Sequence, residues 1–413
     1  MRSRIADPEL APEGRRRIEW AARHSPVLAR LFIERLGDGS LRGRKIAAVL
    51  HLEAKTANLI LQLRAAGASL VVTGANPWST QDSVAAALVA EGIEVHASHQ
   101  ASREQFEADL MAVADTQPEL IIDDGAELTS RILEQRPGLM SNLLGVTEET
   151  TTGVVRLRAM EAAGRLSCPA IAANDAWSKH LYDNRYGTGQ SAFTAIVGLT
   201  NLCLPGRNVC VIGYGWVGKG MAQYARALGM KVTVVEVDPI PALEAFMDGH
   251  RVARLADAVP TADLIVTATG GIKALAGQAL ALAKDGVLIA NVGHHDLEID
   301  QPALEFMAAS SEVMRPGVTR YTLADGRSLF LLADGRLVNI AGSDGHPIEI
   351  MDLSFSVQAL AVHHLASAGL PPGLHRLPAD LDREIARIKL ATRGIELDRL
   401  TDEQQAFYRQ WAT

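Results

Sequence analysis

The stretch NDAWSKHLYDN, residues 174–184, sets Lys179 and Asp183 four positions apart. On a helix that spacing puts an amine and a carboxylate on one face. Such a pair is either a solvated surface contact or a lysine tuned by its carboxylate to move a proton. Other polar residues share one kind of position, the end of an apolar run. His51 follows KIAAVL, Asn76 follows SLVVTG, and Asp123 and Asp124 close ELIIDD. Glu148 and Glu149 follow NLLGVT, and Asn174 follows PAIAA. Each alone reads as a turn or a helix cap. Further along, RNVCVIGYGWVGKG carries Gly213, Gly215 and Gly218 as G-x-G-x-x-G between a β-branched run and a helical one, with Glu236 after the next run, KVTVV. In that context the first glycine allows the tight turn, the second admits a pyrophosphate, and the third packs helix on strand. A carboxylate at Glu236 accepts from a ribose 2′-hydroxyl and repels a 2′-phosphate, so NAD is expected rather than NADP.

These residues need elements to position them. From about residue 45 to 175, short β-branched runs alternate with amphipathic stretches such as TANLILQLRAAG and QDSVAAALVAEG, each closed by a glycine. The alternation predicts an α/β fold with a doubly wound parallel sheet. Ligands of such sheets bind beyond the carboxyl ends of the strands, so the polar residues there converge on one crevice. LPGRNVCVIG opens a second, Rossmann-type unit, continued by DLIVTATG and GVLIANVG, with His294 just past the latter. LADGRSLFLLADGRLVNI reads as a β-meander with two Asp-Gly turns. From about 375 the chain is charged and helical.

Composition narrows the function classes. A chain of 413 residues calls for two or three domains. The net charge of −8, without a basic patch, argues against nucleic acid or an anionic membrane as partner. No apolar run reaches the 18 or so residues of a membrane span, and the start MRSRIADPELAPEG is no signal peptide. Cys168, Cys203 and Cys210 lack metal-ligand spacing, so no metal is expected. They read as buried free thiols in a reducing cytoplasm.

GVTEETTTGVVRL, NDAWSKHLYDN, VIGYGWVGKG, EVDPIPALEAFMDG, GHHDLEID and GRLVNIAGSDGHP together resemble the S-adenosylhomocysteine hydrolase family over nearly the whole chain. HLEAKTA, YGTGQS and GYGW are similar to its archaeal-type branch. The resemblance implies a retained NAD that oxidises the nucleoside 3′-hydroxyl. The C4′ proton then becomes acidic, the C5′ group leaves, water adds, and the ketone is reduced back. By motif match Lys179 and Asp183 carry the oxidation, Asp124 the C4′ proton, and His51 and His294 the leaving group and water. Glu149 matches a ribose-binding carboxylate, and Asn174 and Asn184 match residues that orient ribose and lysine. Glu53, Lys55, Thr56, Asn76, Trp78, His346 and Met351 complete the implied substrate pocket. Gly213, Gly215, Trp216, Val217, Gly218, Glu236, Thr269, Asn291 and Asn339 match the cofactor side, with Thr150, Thr151 and Thr152 at the nicotinamide end. The implied organisation is a substrate domain of 1–186 plus 347–375 clasping an NAD domain of 187–346, followed by a helical tail, 376–413. Hinges are expected near YGTGQS and AGSDGHP. Family members form homo-oligomers, so a tetramer or dimer is implied.

Several positions depart from the family pattern. Glu53 and Lys55 replace Thr and Gln at the base pocket. Lysine only donates, which suits the carbonyl of hypoxanthine unless Glu53 takes up the lysine and keeps an oxygen for adenine's amino group. Ala75, Trp78, Glu127 in DDGAE, and His295 are expected to remodel the space around the C5′ substituent. Hydrolysis of S-adenosylhomocysteine is thus the first expectation. S-inosylhomocysteine hydrolysis and a nucleoside 4′,5′-dehydratase are alternatives, and a non-catalytic NAD-bound regulator is a distant third class.

Overall fold

Two sheets, filled in turn by the chain, form the architecture of this computed structural model, which describes residues 3–411. The first holds β1 (Lys45–Leu50), β2 (Ser69–Gly74), β3 (Glu94–His96), β4 (Leu120–Asp123), β5 (Gly145–Glu148) and β6 (Pro169–Ile171). β1 exposes only Lys45, because helices cover both faces of the sheet. Ile46, Ala48 and Leu50 face a core shared with the helices Pro26–Glu34, Ala54–Ala65 and Ile348–Ala368. Ala47 and Val49 face Leu110, Val113 and Ile132 on the other side. The second sheet holds β7 (Asn208–Ile212), β8 (Lys231–Val235), β9 (Arg251–Val252), β10 (Leu264–Thr267), β11 (Val287–Asn291), β12 (Ala308–Arg315), β13 (Val318–Leu323) and β14 (Ser328–Leu332). The chain then returns through the 21-residue helix Ile348–Ala368 to add β15 (Gly373–His375) beside β6.

Strand order explains where ligands can sit. The first sheet runs β15-β6-β5-β4-β1-β2-β3, all parallel, so the winding reverses between β1 and β4. His51 and Asp124 come directly after those two strands. The second runs β12-β13-β14-β11-β10-β7-β8-β9 and reverses between β7 and β10, whose outgoing loops are Gly213–Gly215 and Ala268–Gly271. Both reversal points open a crevice at the carboxyl ends of their strands.

Two expectations need correction, the meander and the burial of Cys203. The anticipated meander is one hairpin, β13–β14, turning at Asp325–Gly326; the second Asp-Gly bends at Asp334 (φ 52°) into the short helix Val338–Ala341. The partner of β13 on its other side is β12, an exposed antiparallel edge whose polar AASSEVMR hid it in the sequence. Cys168 and Cys210 are buried, but Cys203 is exposed. Helix Ala379–Thr392 packs into the first core through Ile385 and Ile388, and the segment beyond it is exposed. The glycines of YGTGQS sit in close packing. Residues Asp183–Gly187 form a π-helical turn, and a Cβ at Gly189 would stand 2.5 Å from the Tyr224 ring. Ala126, in the DDGAE variation, adopts a left-handed φ of 53° that glycine takes without strain. Among the described residues no helix is long and apolar enough to cross a membrane.

Candidate active site

The paired acids at the ends of β4 and β5 divide their work by the two-residue period of a strand. Asp123 and Glu148 turn into the protein and hold its loops. Asp123 accepts from Leu128 N, Thr129 N and Thr129 Oγ1 at 3.2, 2.8 and 2.7 Å. Glu148 accepts from Gly125 N, Ala126 N and Thr150 N at 2.9, 2.8 and 2.8 Å. Gly153 leaves room for it, since a Cβ there would stand 2.1 Å from the Glu148 carboxyl carbon. Burial pushes Asp123 up to about 6 and Glu148 well above the ordinary carboxylate range. The second member of each pair, Asp124 and Glu149, faces a cavity between the two units.

Lys179 is the buried centre of that cavity's floor. Its short helix, Trp177–His180, is fixed by Asp382, which accepts from Trp177 N and Ser178 N at 2.6 and 2.9 Å. Lys179, 3 % exposed, places Nζ 2.8 Å from Asn184 Oδ1 and 3.2 Å from Asp183 Oδ1. Asn174 Oδ1 and Glu149 Oε1 each lie at 3.5 Å. Two residues absent from the sequence expectations reach this cluster from behind, on one face of helix Ile348–Ala368. Ser354 Oγ donates to Asp183 Oδ2 at 2.7 Å, and Gln358 Nε2 donates to Glu149 Oε2 at 2.5 Å. His346 Nδ1 stands 3.3 Å from Asp183 Oδ1. Burial works to raise Asp183, but the charges of Lys179 and His346 outweigh it and hold the carboxyl below its ordinary value. Burial pushes Glu149 up to about 8 despite the nearby lysine. For Lys179 the carboxylates overcome burial and hold the ammonium above its ordinary value. One buried positive charge thus sustains the Asp183 carboxylate, while Glu149 keeps its proton more readily.

Asp124 lies between two imidazoles. His51 Nε2 is 3.5 Å from its Oδ2, and His294 Nδ1 is 3.9 Å from its Oδ1, which is buried without a hydrogen-bond partner. Ser79 Oγ holds His51 Nδ1 at 2.6 Å. Burial lowers His294 to about 4, so its ring is neutral at physiological pH and can accept or relay a proton. Nearby, Glu53 caps helix Ala54–Ala65 through Lys55 N, and Lys55 Nζ lies 3.2 Å from Glu53 Oε2 and donates to Asp344 O at 2.8 Å. These are not surface charges: Lys55 is 6 % exposed. Thr56, His346 and Met351 complete this end of the cavity.

The opposite wall comes from the second unit. Gly213 (φ 97°) would bring a Cβ within 2.7 Å of Ala268 O, and one at Gly218 would meet Gly213 O at 2.0 Å. Gly215 instead faces open space and lines the cavity with Trp216, Val217 and Thr269. Glu236 binds the same turn, accepting from Tyr214 N at 2.7 Å. Glu298, another residue the sequence did not single out, holds Thr269 N and Gly270 N at 2.9 and 2.7 Å. Thr150, Thr151, Thr152 and Asn339 also line the cavity, and Asn339 Oδ1 is buried without a partner.

Six anticipated residues do not line it: Asn76, Trp78, Gly213, Gly218, Glu236 and Asn291. The two glycines and Glu236 shape the turn beside it. Asn291 is wholly buried, donating to His295 O and Gly335 O at 2.8 and 3.1 Å. Asn76 caps the turn at Pro77 through Trp78 N, and the Trp78 ring carries the Arg336 guanidinium 3.5 Å from its centroid at the seam of the units. Ala75, Glu127 and His295 are likewise outside the lining, Glu127 being engaged by Arg131 and Arg156. These three stand behind the cavity wall, with the His295 ring 4.6 Å from that of His294, which lines it.

The family model described as "S-adenosyl-L-homocysteine hydrolase" matches residues 2–137, and "S-adenosyl-L-homocysteine hydrolase, NAD binding domain" matches 184–345. An adenosylhomocysteinase of Thermococcus kodakarensis is 48 % identical over 98 % of this chain and 97 % of that protein. The chain belongs to the S-adenosyl-L-homocysteine hydrolase family. Similar, too, are an S-inosyl-L-homocysteine hydrolase of Methanopyrus kandleri, 47 % identical over 98 % of this chain and 97 % of its own, and an adenosylhomocysteinase of Saccharolobus solfataricus, 45 % over 100 % and 99 %. No relative among these is named a dehydratase, and that alternative finds no support.

As a member of the S-adenosyl-L-homocysteine hydrolase family, this enzyme uses NAD, and its residues fit that cofactor. Gly215 leaves the space a pyrophosphate needs at the start of helix Trp216–Ala227, whose first N–H groups are free to face it. The orphaned Asn339 Oδ1 stands in the same cavity as an acceptor for an amide.

Proposed function

We propose that the enzyme hydrolyses S-adenosylhomocysteine reversibly to adenosine and homocysteine, with Lys179 at the centre of the reaction. Bound NAD would supply the hydride acceptor for C3′ and, reduced, the donor for the return step. Lys179 takes the 3′-hydroxyl proton, held in place by Asp183 and Asn184. Glu149 and Asn174 hold the ribose hydroxyls. Asp124 removes the C4′ proton, and the neutral His294, with His51, passes protons to and from the leaving sulfur and the incoming water. Gly213, Gly215, Trp216, Val217, Gly218 and Glu236 hold the dinucleotide, with Thr150 to Thr152, Thr269 and Asn339 toward its nicotinamide. The observation that carries this reading is the burial of Lys179 Nζ within 3.5 Å of Asp183, Asn184, Asn174 and Glu149, on the cavity that the dinucleotide loop also lines. Closing such a cavity keeps water from a reactive enone. The units we propose are 1–186 with 347–375, and 187–346. A cytoplasmic homo-oligomer belongs to the same proposal, with the exposed Phe407, Tyr408 and Trp411 as surface for it to bury.

The arrangement of Glu53 and Lys55 favours a second base as well. Lys55 Nζ spends two donors on Glu53 and Asp344 O and keeps a third, while Glu53 Oε1 has only Thr56 Oγ1 at 3.5 Å. This donor–acceptor pair suits adenine (N1 and the amino group) and equally hypoxanthine (O6 and N1–H). S-inosylhomocysteine is thus the alternative substrate. The test is to follow free thiol with each compound. Thiol release from S-adenosylhomocysteine supports the proposal. Release from the inosyl compound alone reassigns the base, and release from neither, by folded NAD-loaded protein, overturns it.

A further inference from the structure

Gln358 is wholly buried on helix Ile348–Ala368, and its amide is half used. Its Nε2 donates to Glu149 Oε2 at 2.5 Å, whereas its Oε1 has no partner. Glu149 Oε1 is also orphaned, 3.5 Å from Lys179 Nζ. A buried amide acceptor without a donor destabilises the fold, so a polar residue with an idle end calls for a reason. An amide carries a donor and an acceptor on one flat group. Turned about its last bond, the Gln358 amide offers Oε1 in place of Nε2 and accepts from a protonated Glu149. It can therefore hold this carboxyl in either protonation state without moving it from the cavity.

We propose that Gln358 is a positioning residue whose amide flips to let Glu149 store the proton of Lys179, making the lysine a base. This rests on the roles proposed above for Lys179 and Glu149. The steps balance. In the fraction of enzyme whose Glu149 is ionised, which grows as pH rises toward about 8, the pair Lys179–NH3+ and Glu149–COO− becomes Lys179–NH2 and Glu149–COOH. The free amine then takes the 3′-hydroxyl proton while hydride leaves C3′ and the C3′–O bond becomes a carbonyl. Reduction of the ketone reverses both transfers. The geometry creates the need for a store: two carboxyl groups and two Asn oxygens surround Lys179 and favour its ammonium, which cannot accept a proton. The raised proton affinity of Glu149, pushed up to about 8 by burial, makes the neutral pair accessible. The groups facing Glu149 are Lys179 on its short helix, Asp183 on the π-helical turn, Asp124 beyond β4, and Gln358 itself.

The test uses the NAD-loaded enzyme and Gln358→Met, which keeps the volume but neither polar end. Reduction of bound NAD on adding adenosine is followed across pH in single turnovers. An infrared titration of the Glu149 carboxyl, assigned with Glu149→Gln, supplies a readout independent of turnover. A hydrogen bond to an ionised group outweighs one to the neutral acid, so losing the amide raises the carboxyl's midpoint. The expected result is an acid limb and an infrared midpoint both shifted up by about one pH unit, a rate roughly tenfold lower near pH 7, and adenosine affinity changed less than about threefold. Gln358→Glu, which adds a negative charge beside Glu149, shifts both further and serves if the methionine variant does not fold. A rate that falls equally at all pH with an unmoved infrared midpoint overturns the inference. Wild-type enzyme that binds NAD but never reduces it with adenosine defeats the parent reading instead, and the infrared titration then decides the role of Gln358 alone.

Discussion

Ser354 Oγ donates to Asp183 Oδ2 at 2.7 Å across 171 residues of chain, bolting the returning helix to the carboxylate beside Lys179. The other oxygen of Asp183 serves Lys179. Ser354→Ala leaves a buried carboxylate oxygen without its donor, a loss of about 1.5–3 kcal/mol where the acceptor is charged. Reduction of bound NAD by adenosine should slow roughly tenfold to a hundredfold, with NAD content unchanged. A rate within about twofold of wild type would show that Asp183 needs no support from behind.

Glu149 makes stability pH-dependent. Its folded-state carboxyl lies above the ordinary value, so the proton it holds stabilises the fold fully below about pH 4.3, the unfolded value, and this contribution is lost as pH rises to about 8. Glu149→Gln lacks that titration. Denaturant midpoints measured from pH 5 to 9 should show wild type losing ground to the variant as pH rises, at up to about 1.4 kcal/mol per pH unit. Parallel curves contradict the raised value.

Lys55 and Glu53 set the base edge together. Lys55→Gln keeps a donor and adds an acceptor, which adenine can still use, but it releases Glu53 from its ion pair. The ratio of kcat/KM for S-adenosylhomocysteine over the inosyl compound should rise by about tenfold, the scale of one charged hydrogen bond. An unchanged ratio would place base selection elsewhere.

Trp78, expected in the substrate pocket from the family resemblance, sits instead on Arg336 at the seam, 38 % exposed. Trp78→Phe keeps an aromatic face for the guanidinium. Thiol release should stay within about threefold of wild type. A change in substrate preference would return Trp78 to the pocket.

The sequence displayed the polar strand ends and the glycine fingerprint plainly, because doubly wound sheets put chemistry at fixed points of the chain. Pattern alone does not separate Asp123 from Asp124 or Glu148 from Glu149; the family resemblance is what picks Asp124 and Glu149. Strand period decides which of two adjacent acids faces a cavity, and the register is known only once the strand ends are. Ser354 and Gln358 were harder still. They read as stray polar residues in the apolar run IMDLSFSVQALAV, and only the return of that helix beneath Lys179 gives them partners. Their signal was present as two polar side chains four apart on an otherwise apolar face. The second Asp-Gly misled because its turn leads into a helix; the dipeptide signals reversal, and the element after it is set by packing.

The central claim is that Lys179 works on a hydroxyl beside a hydride acceptor. The direct measurement is the NADH band near 340 nm when adenosine is added to NAD-loaded enzyme, compared between wild type and Lys179→Ala at equal NAD content. The account predicts a band in wild type and at least about a hundredfold slower growth in the variant. Equal growth in both would contradict it.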